Sequence, residues 1–173
     1  INTTYTINYG NSIKDNNEGN PLTFFSYTFS TGETIDSLYV KGNISDAYDI
    51  VTDEYVSIHL YRIDSTLNDS IIFNKRPTYI SNSLDSTSYT FKNIREGKYL
   101  IVAMKDVDNN YFFDPFYDKI GFIDSLITLP KDSIIDFKLF KEETELIWDK
   151  PHFLNSEKIG FGYYGKLDFN RLM

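Results

Sequence analysis

Apolar and polar residues alternate along most of the chain. A period of two puts one side of a strand in a core and the other in solvent. Residues 3–9 alternate in this way, and residues 24–31 repeat the pattern before Gly32 ends it. Strands are likewise predicted over 37–44, 55–63, 88–91, 119–123, 125–128 and 133–140, with shorter pieces at 70–74 and 77–80. In the 55–63 segment the pattern gathers Val56, Ile58, Leu60 and Arg62 on one face. Polar stretches at 11–21, 46–54, 65–69 and 82–87 read as loops and turns.

Residues 98–105 break the alternation. Lys98-Tyr99-Leu100-Ile101-Val102-Ala103-Met104-Lys105 is almost continuously apolar, which predicts a strand covered on both faces. The Glu96-Gly97 pair before it supplies a turn, and an acidic loop comes after it. No segment combines a helical period with capping residues. Roughly seven or eight short strands with regular turn signals over about 110 residues form the pattern of a β-sandwich. Two alternating strands do not make a stable unit alone. Residues 1–32 are therefore expected either to pack on the strands beyond Gly32 or to be the closing hairpin of a preceding domain.

Composition supports strands. The 173 residues are 41% hydrophobic and include 14 Tyr and 14 Phe, enough apolar bulk for a core and rich in residue types that favour sheets. A formal charge of −8 argues against nucleic acid and against anionic membrane surfaces. Cysteine is absent, which removes disulfides, thiolate metal sites and cysteine nucleophiles. With His59 and His152 as the only histidines, chemistry that needs several imidazoles has no support. There is no apolar run of membrane-spanning length. The chain begins at Ile1, so it reads as a mature or trimmed piece of a longer protein.

The sharpest chemical signal is Asp106, Asp108, Asn110, Asp114 and Asp118. Oxygen ligands at alternate positions of a tight loop can converge on calcium, with a backbone carbonyl near Phe112 completing the shell. A glycine after Asn110 and a closing glutamate, both part of the strict calcium-loop pattern, are missing. The competing reading is a polar turn whose side chains bond their own backbone. The neighbouring Tyr111, Phe112, Phe113, Phe116 and Tyr117 could form a platform for carbohydrate or a protein partner. Otherwise they cap the sandwich, which is the commoner fate of large aromatics. Asp49, Asp53 and Glu54, with Glu142, Glu143 and Glu145, contain no two carboxylates fixed at a glycosidase separation and read as a solvated face. Lys41 and Asp136 are the one pair worth testing for an amide crosslink, against the ordinary role of an edge lysine in deterring aggregation.

The stretch Asn93-Ile94-Arg95-Glu96-Gly97-Lys98-Tyr99-Leu100-Ile101-Val102-Ala103 resembles the L-x-x-G-x-Y-x-(apolar)-x-A strand of carboxypeptidase-regulatory-like and Cna B-type domains. Those are transthyretin-like sandwiches. The segments from Asn2 to Gly10 and from Phe25 to Gly32 resemble the closing strands of a bacterial Ig-like domain. That order, continued by Lys105-Asp106-Val107-Asp108-Asn109-Asn110 and Lys119-Ile120-Gly121-Phe122, resembles Bacteroidota surface lipoproteins with an N-terminal Ig-like domain. The resemblance covers most of residues 1–142. It implies a non-catalytic module and anchoring in the outer membrane through an N-terminal cysteine outside this piece.

The expectation is therefore an all-β chain. Residues 1–32 form the hairpin of an Ig-like domain, 33–142 a transthyretin-like sandwich, and 143–173 an extended tail or the start of a further β-domain. It is expected to serve as a structural or binding module of an outer-membrane or cell-surface lipoprotein, with other envelope proteins as partners and no nucleic acid. Any membrane contact comes through the lipid anchor alone. Calcium at Asp106, Asp108, Asn110, Phe112, Asp114 and Asp118 is the one cofactor considered, in a structural role. The alternative is a carbohydrate-binding accessory that uses the aromatics of residues 112–117. A third possibility is a piece of an enzyme whose catalytic domain lies elsewhere.

Overall fold

The structure, a computed structural model, describes residues 2–23, 25–64 and 70–165. The turn expected at 65–69 lies outside the described residues, as does Phe24 at the start of the second predicted strand. Among the described residues the chain is all-β apart from one short helix.

Two sheets carry the main core. The first contains β3 (Leu38–Asp46), β6 (Ser88–Ile94) and β10 (Phe137–Leu139). Its order is β10-β3-β6, and β10 runs parallel to β3. The second has the order β5-β4-β7-β8, built from β4 (Ser57–Arg62), β5 (Tyr79–Asn82), β7 (Gly97–Lys105) and β8 (Lys119–Phe122). A further strand, β9 (Ile127–Leu129), pairs with the beginning of β7. Val40, Ile44, Tyr89, Phe91, Phe137 and Leu139 from the first sheet meet Ile58, Leu60, Tyr99, Ile101, Ala103, Ile127 and Leu129 from the second. Apart from Ala103, each of these side chains contributes about 1.5–3 kcal/mol by leaving water.

Along one margin the sheets join. Ile120 and Phe140 exchange backbone hydrogen bonds of 2.8 and 2.9 Å. Beside this seam the chain leading into β10 lies directly on β3, where the Ile135 N–H donates to the Lys41 carbonyl at 2.9 Å. Gly42 permits the approach, because a Cβ there would land on the Ile135 carbonyl oxygen.

As the continuous apolar run predicts, β7 is buried on both sides. Its Val102 packs with Tyr61 and Ile71, and its Met104 with Phe113 and Ile120, on the face away from the main core. The same covering corrects the expectation for 55–63. Ser57, His59 and Tyr61 are buried as fully as Ile58 and Leu60, so β4 has no solvated face. The strand expected at 70–74 is instead α1 (Ile71–Asn74). One helical turn seats Ile71 on the outer face of the sheet, and this packing outweighs the β-preference of two isoleucines.

The ends of the chain form separate hairpins. In the first, β1 (Thr4–Asn8) and β2 (Ser26–Ser30) are antiparallel, with Tyr5 opposite Phe29 and Ile7 opposite Tyr27. In the second, β11 (Ile147–Trp148) pairs with β14 (Tyr163–Tyr164), and β12 (His152–Asn155) with β13 (Lys158–Gly160).

Candidate functional site

The loops 47–56, 83–87 and 106–118 cluster at one end of the two sheets. This end holds the densest group of ionisable side chains, and its geometry shows what they do.

Residues 106–118 fold on themselves. Asp106 accepts the N–H groups of Asn110 and Tyr111 at 3.2 and 2.7 Å. Asp118 accepts those of Val107 and Asp114 at 2.9 and 2.8 Å. Asn110 caps Phe112 at 2.7 Å and Asp114 caps Phe116 at 2.9 Å, while Asp108 is exposed. These bonds let buried carboxylates replace lost water with backbone donors. Burial pushes the Asp118 carboxyl above its ordinary value, with the nearby charges of Asp106 and Asp114 acting in the same sense. Among the described residues, no three carboxylate or imidazole side chains converge as a metal-holding group. The loop gathers these residues as the sequence predicts, and the Asp106, Asn110, Asp114 and Asp118 side chains accept hydrogen bonds from its own backbone.

Of the aromatics of this loop, Phe113 is buried, Tyr111, Phe112 and Phe116 are half-buried, and Tyr117 is exposed. Phe113 is buried against Met104 and Ile120, with its ring tilted against that of Phe73 at 5.6 Å. Tyr111 lies 6.0 Å from the His59 ring, with the Arg76 guanidinium over its own ring at 5.8 Å. Its φ of +68°, unusual for a tyrosine, is held by these contacts and by the hydrogen bond to Asp106. Phe116 and Tyr117 lie against Tyr164 of the carboxy-terminal hairpin, at 5.7 and 6.3 Å.

Under this cover sits a residue that the sequence reading left without a role. His59 is fully buried and its Nδ1 is 3.4 Å from the Tyr61 hydroxyl. Its Nε2 has no hydrogen-bond partner among the described residues. Burial drives its pKa down to about 4, against a weaker upward pull from Asp106, so it is neutral at pH 7. Its place on a strand that alternates strictly in sequence gave no hint of this, since only the folded loop covers that face.

Of the carboxylates read as a solvated face, Asp49, Glu54, Glu142, Glu143 and Glu145 are exposed, while Asp53, together with Asp49, also joins a second charged cluster. Lys119, at the start of β8, lies 2.7 Å from Asp46, 2.8 Å from Asp53 and 3.4 Å from Asp49. The Asp46 side chain is 1% exposed, and the lysine 25%. Asp53 Oδ2 lacks a well-angled hydrogen bond, but the ion pair at 2.8 Å supplies its partner. Burial alone would raise the Asp46 carboxyl. The Lys119 hydrogen bond and the Asp49 and Tyr48 N–H groups outweigh it and hold the pKa at about 2. The bonds to Asp46 and Asp53 push the Lys119 amine upward. Both partners are therefore locked in their charged forms, the opposite of what amide formation needs. The cluster is a clasp that ties the 46–54 loop to β8. In the pair considered for a crosslink, Asp136 accepts from the Asn43 backbone at 2.7 Å, and Lys41 lies over the Tyr39 ring.

Away from this end, an open groove of about 430 Å³ runs between residues 123–127 and 131–135, lined by Ile123, Leu126, Ile127 and Ile135 with Lys131 and Asp132. The Asp132 carboxylate is already bonded to the Thr128 N–H at 2.8 Å.

These features define an all-β sandwich. Comparison with known protein families, with curated proteins and with solved structures finds no match.

Proposed function

We propose that the chain is a non-catalytic structural and binding module of an outer-membrane or cell-surface lipoprotein, working within an envelope protein assembly. In this reading residues 33–142 are a transthyretin-like, carboxypeptidase-regulatory-like sandwich, and residues 1–32 belong to an Ig-like domain. One observation carries it: the amino-terminal hairpin meets the sandwich through Thr4 and Thr28 of its polar side and keeps its aromatic side outward.

Thr4, Thr6, Asn8, Ser26, Thr28 and Ser30 share one side of that hairpin, by the pairing of β1 with β2. Thr4 accepts the Asp36 N–H at 3.0 Å, and Thr28 accepts from the Asn93 side chain at 2.9 Å. The other side carries Tyr5, Ile7, Phe25, Tyr27 and Phe29, which are 39–56% exposed. A hairpin that only decorated the sandwich would do the reverse, since burying the aromatics is worth far more than burying hydroxyls. An outward apolar sheet face is built to be covered by another sheet.

The carbohydrate reading draws less support, because Phe113 is buried and Phe116 and Tyr117 already contact Tyr164. The test is affinity capture of detergent-solubilised outer-membrane proteins on the immobilised chain. Retention of membrane β-barrel proteins, lost on Tyr27→Asp while the melting transition is kept, is expected. Glycan binding lost on Phe116→Ala, or hydrolysis of a substrate by the chain alone, would overturn the reading.

A further inference from the structure

The loop that leads from β3 to β4 carries the three most exposed large apolar side chains among the described residues. Tyr48 is 83% exposed, Ile50 103% and Val51 81%. They stand within four consecutive residues, and both ends of their loop run into strands of the two sheets. Side chains this exposed touch almost nothing, so they add nothing to the core. A single apolar residue on a surface needs no explanation, but three at one tip do. At roughly 150–200 Å² for a large side chain they put about 400–550 Å² of apolar surface in one place.

The loop is pinned on either side of this tip. The Ala47 N–H donates to the Leu139 carbonyl at 2.8 Å. Asp46 accepts the N–H groups of Tyr48 and Asp49 at 2.8 and 2.9 Å. Lys119 holds Asp46 and Asp53 from β8. Beyond the tip, the Tyr55 N–H donates to the Leu84 carbonyl at 2.6 Å and the Lys105 amine to the Glu54 carbonyl. A loop held in this way has already given up its conformational freedom, so a contact made by its tip costs little further ordering.

Charge says what such a contact would meet. Asp46, Asp49, Asp53 and Glu54 flank the tip on its own loop, and Asp85 lies beside Leu84 on the loop bonded to Tyr55. Five carboxylates thus stand against two lysines, Lys105 and Lys119, and Asp49, Glu54 and Asp85 are exposed. An acidic rim of this kind repels anionic headgroups and attracts lysine and arginine.

We propose that the tip at residues 48–51 is a docking point for a partner protein whose surface offers an apolar pocket rimmed by lysine or arginine. This goes beyond the scaffold reading, because it gives the sandwich a contact of its own, separate from the amino-terminal hairpin. That hairpin touches the turn before β7, through Asn93 and Arg95. The tip is tied to Lys105 at the other end of β7. Nine residues lie in that strand, a span of about 30 Å. The tip offers roughly half of the 800 Å² or so that each side of a standard interface buries, so the contact is reversible and of micromolar strength. Tyr48 is its aromatic anchor.

Photocrosslinking tests this. Benzoylphenylalanine replaces Tyr48, Ile50 or Val51 in turn, and the full chain is irradiated in the cells that make it. The crosslinked protein is identified by mass, purified, and titrated calorimetrically with the unaltered chain. Its affinity should fall about tenfold with Tyr48→Ser, Ile50→Ser and Val51→Ser combined. It should fall severalfold with Glu54→Gln and Asp85→Asn combined, and severalfold when salt is raised from about 50 to about 300 mM. The serine variant should melt as the parent does. No crosslink from the tip overturns the proposal, as does a crosslink to lipid or to a second copy of the chain. A partner whose binding ignores salt and the rim variant also overturns it. So does a serine variant that melts several degrees lower, because its side chains then serve the fold. None of these results touches the hairpin reading, which turns on Tyr27→Asp.

Discussion

The buried imidazole of His59 makes the protein acid-sensitive. Its pKa is about 4 in the fold and about 6.5 in an unfolded chain. A group with a depressed folded pKa of this kind binds its proton first in the unfolded state. Stability is therefore full above about pH 6.5 and falls as the pH drops, until the folded form also takes a proton near pH 4. From the two pKa values the loss relative to pH 7 is about 2 kcal/mol at pH 5 and about 3 kcal/mol at pH 4. Asp118, raised by burial, acts in the opposite sense, so the histidine's share is read from the comparison with a variant that lacks it. For a chain of this size 2 kcal/mol is about 4–8 °C in melting temperature. The assay is urea and thermal unfolding at pH 7, 6 and 5 for the unaltered chain and for His59→Leu, which matches its volume and removes the unpartnered nitrogen. The leucine variant should lose most of the slope between pH 6.5 and 5. A flat profile in the unaltered chain, or an equal slope in the variant, would refute the reasoning.

Other outcomes come from the same geometry. Lys119→Met strands the buried Asp46 carboxylate and should cost about 3 kcal/mol, read by urea unfolding at pH 7; an unchanged midpoint would mean that the clasp is idle. Gly42→Ala drives a methyl into the Ile135 carbonyl and should lower stability by at least 1–3 kcal/mol. If it melts like the parent, the close approach of the two segments is not as described. Calcium chloride at several millimolar should leave the melting temperature unchanged, because Asp106 and Asp118 already bond their loop's backbone; a rise of several degrees would restore the ion to that loop.

By itself the sequence determined the class and most of the strands. Period-two alternation and the apolar run at 98–105 are local properties, written in neighbouring residues, and they were legible for that reason. The turn before β7 and the crowding of carboxylates into one loop were legible on the same grounds. Only the tertiary structure decided how that loop closes. That Asp106 accepts the Tyr111 N–H depends on how residues 106–118 close over a sheet, which spacing alone does not specify. The burial of His59 and the shift of residues 70–74 from strand to helix have the same origin, an outer face covered by segments far away in sequence. The Lys119 clasp joins residues some seventy positions apart, so no local pattern could announce it. The orientation of the first hairpin was equally hidden. Its alternation showed two unlike faces, but which one meets the sandwich rests on single hydrogen bonds to Asp36 and Asn93.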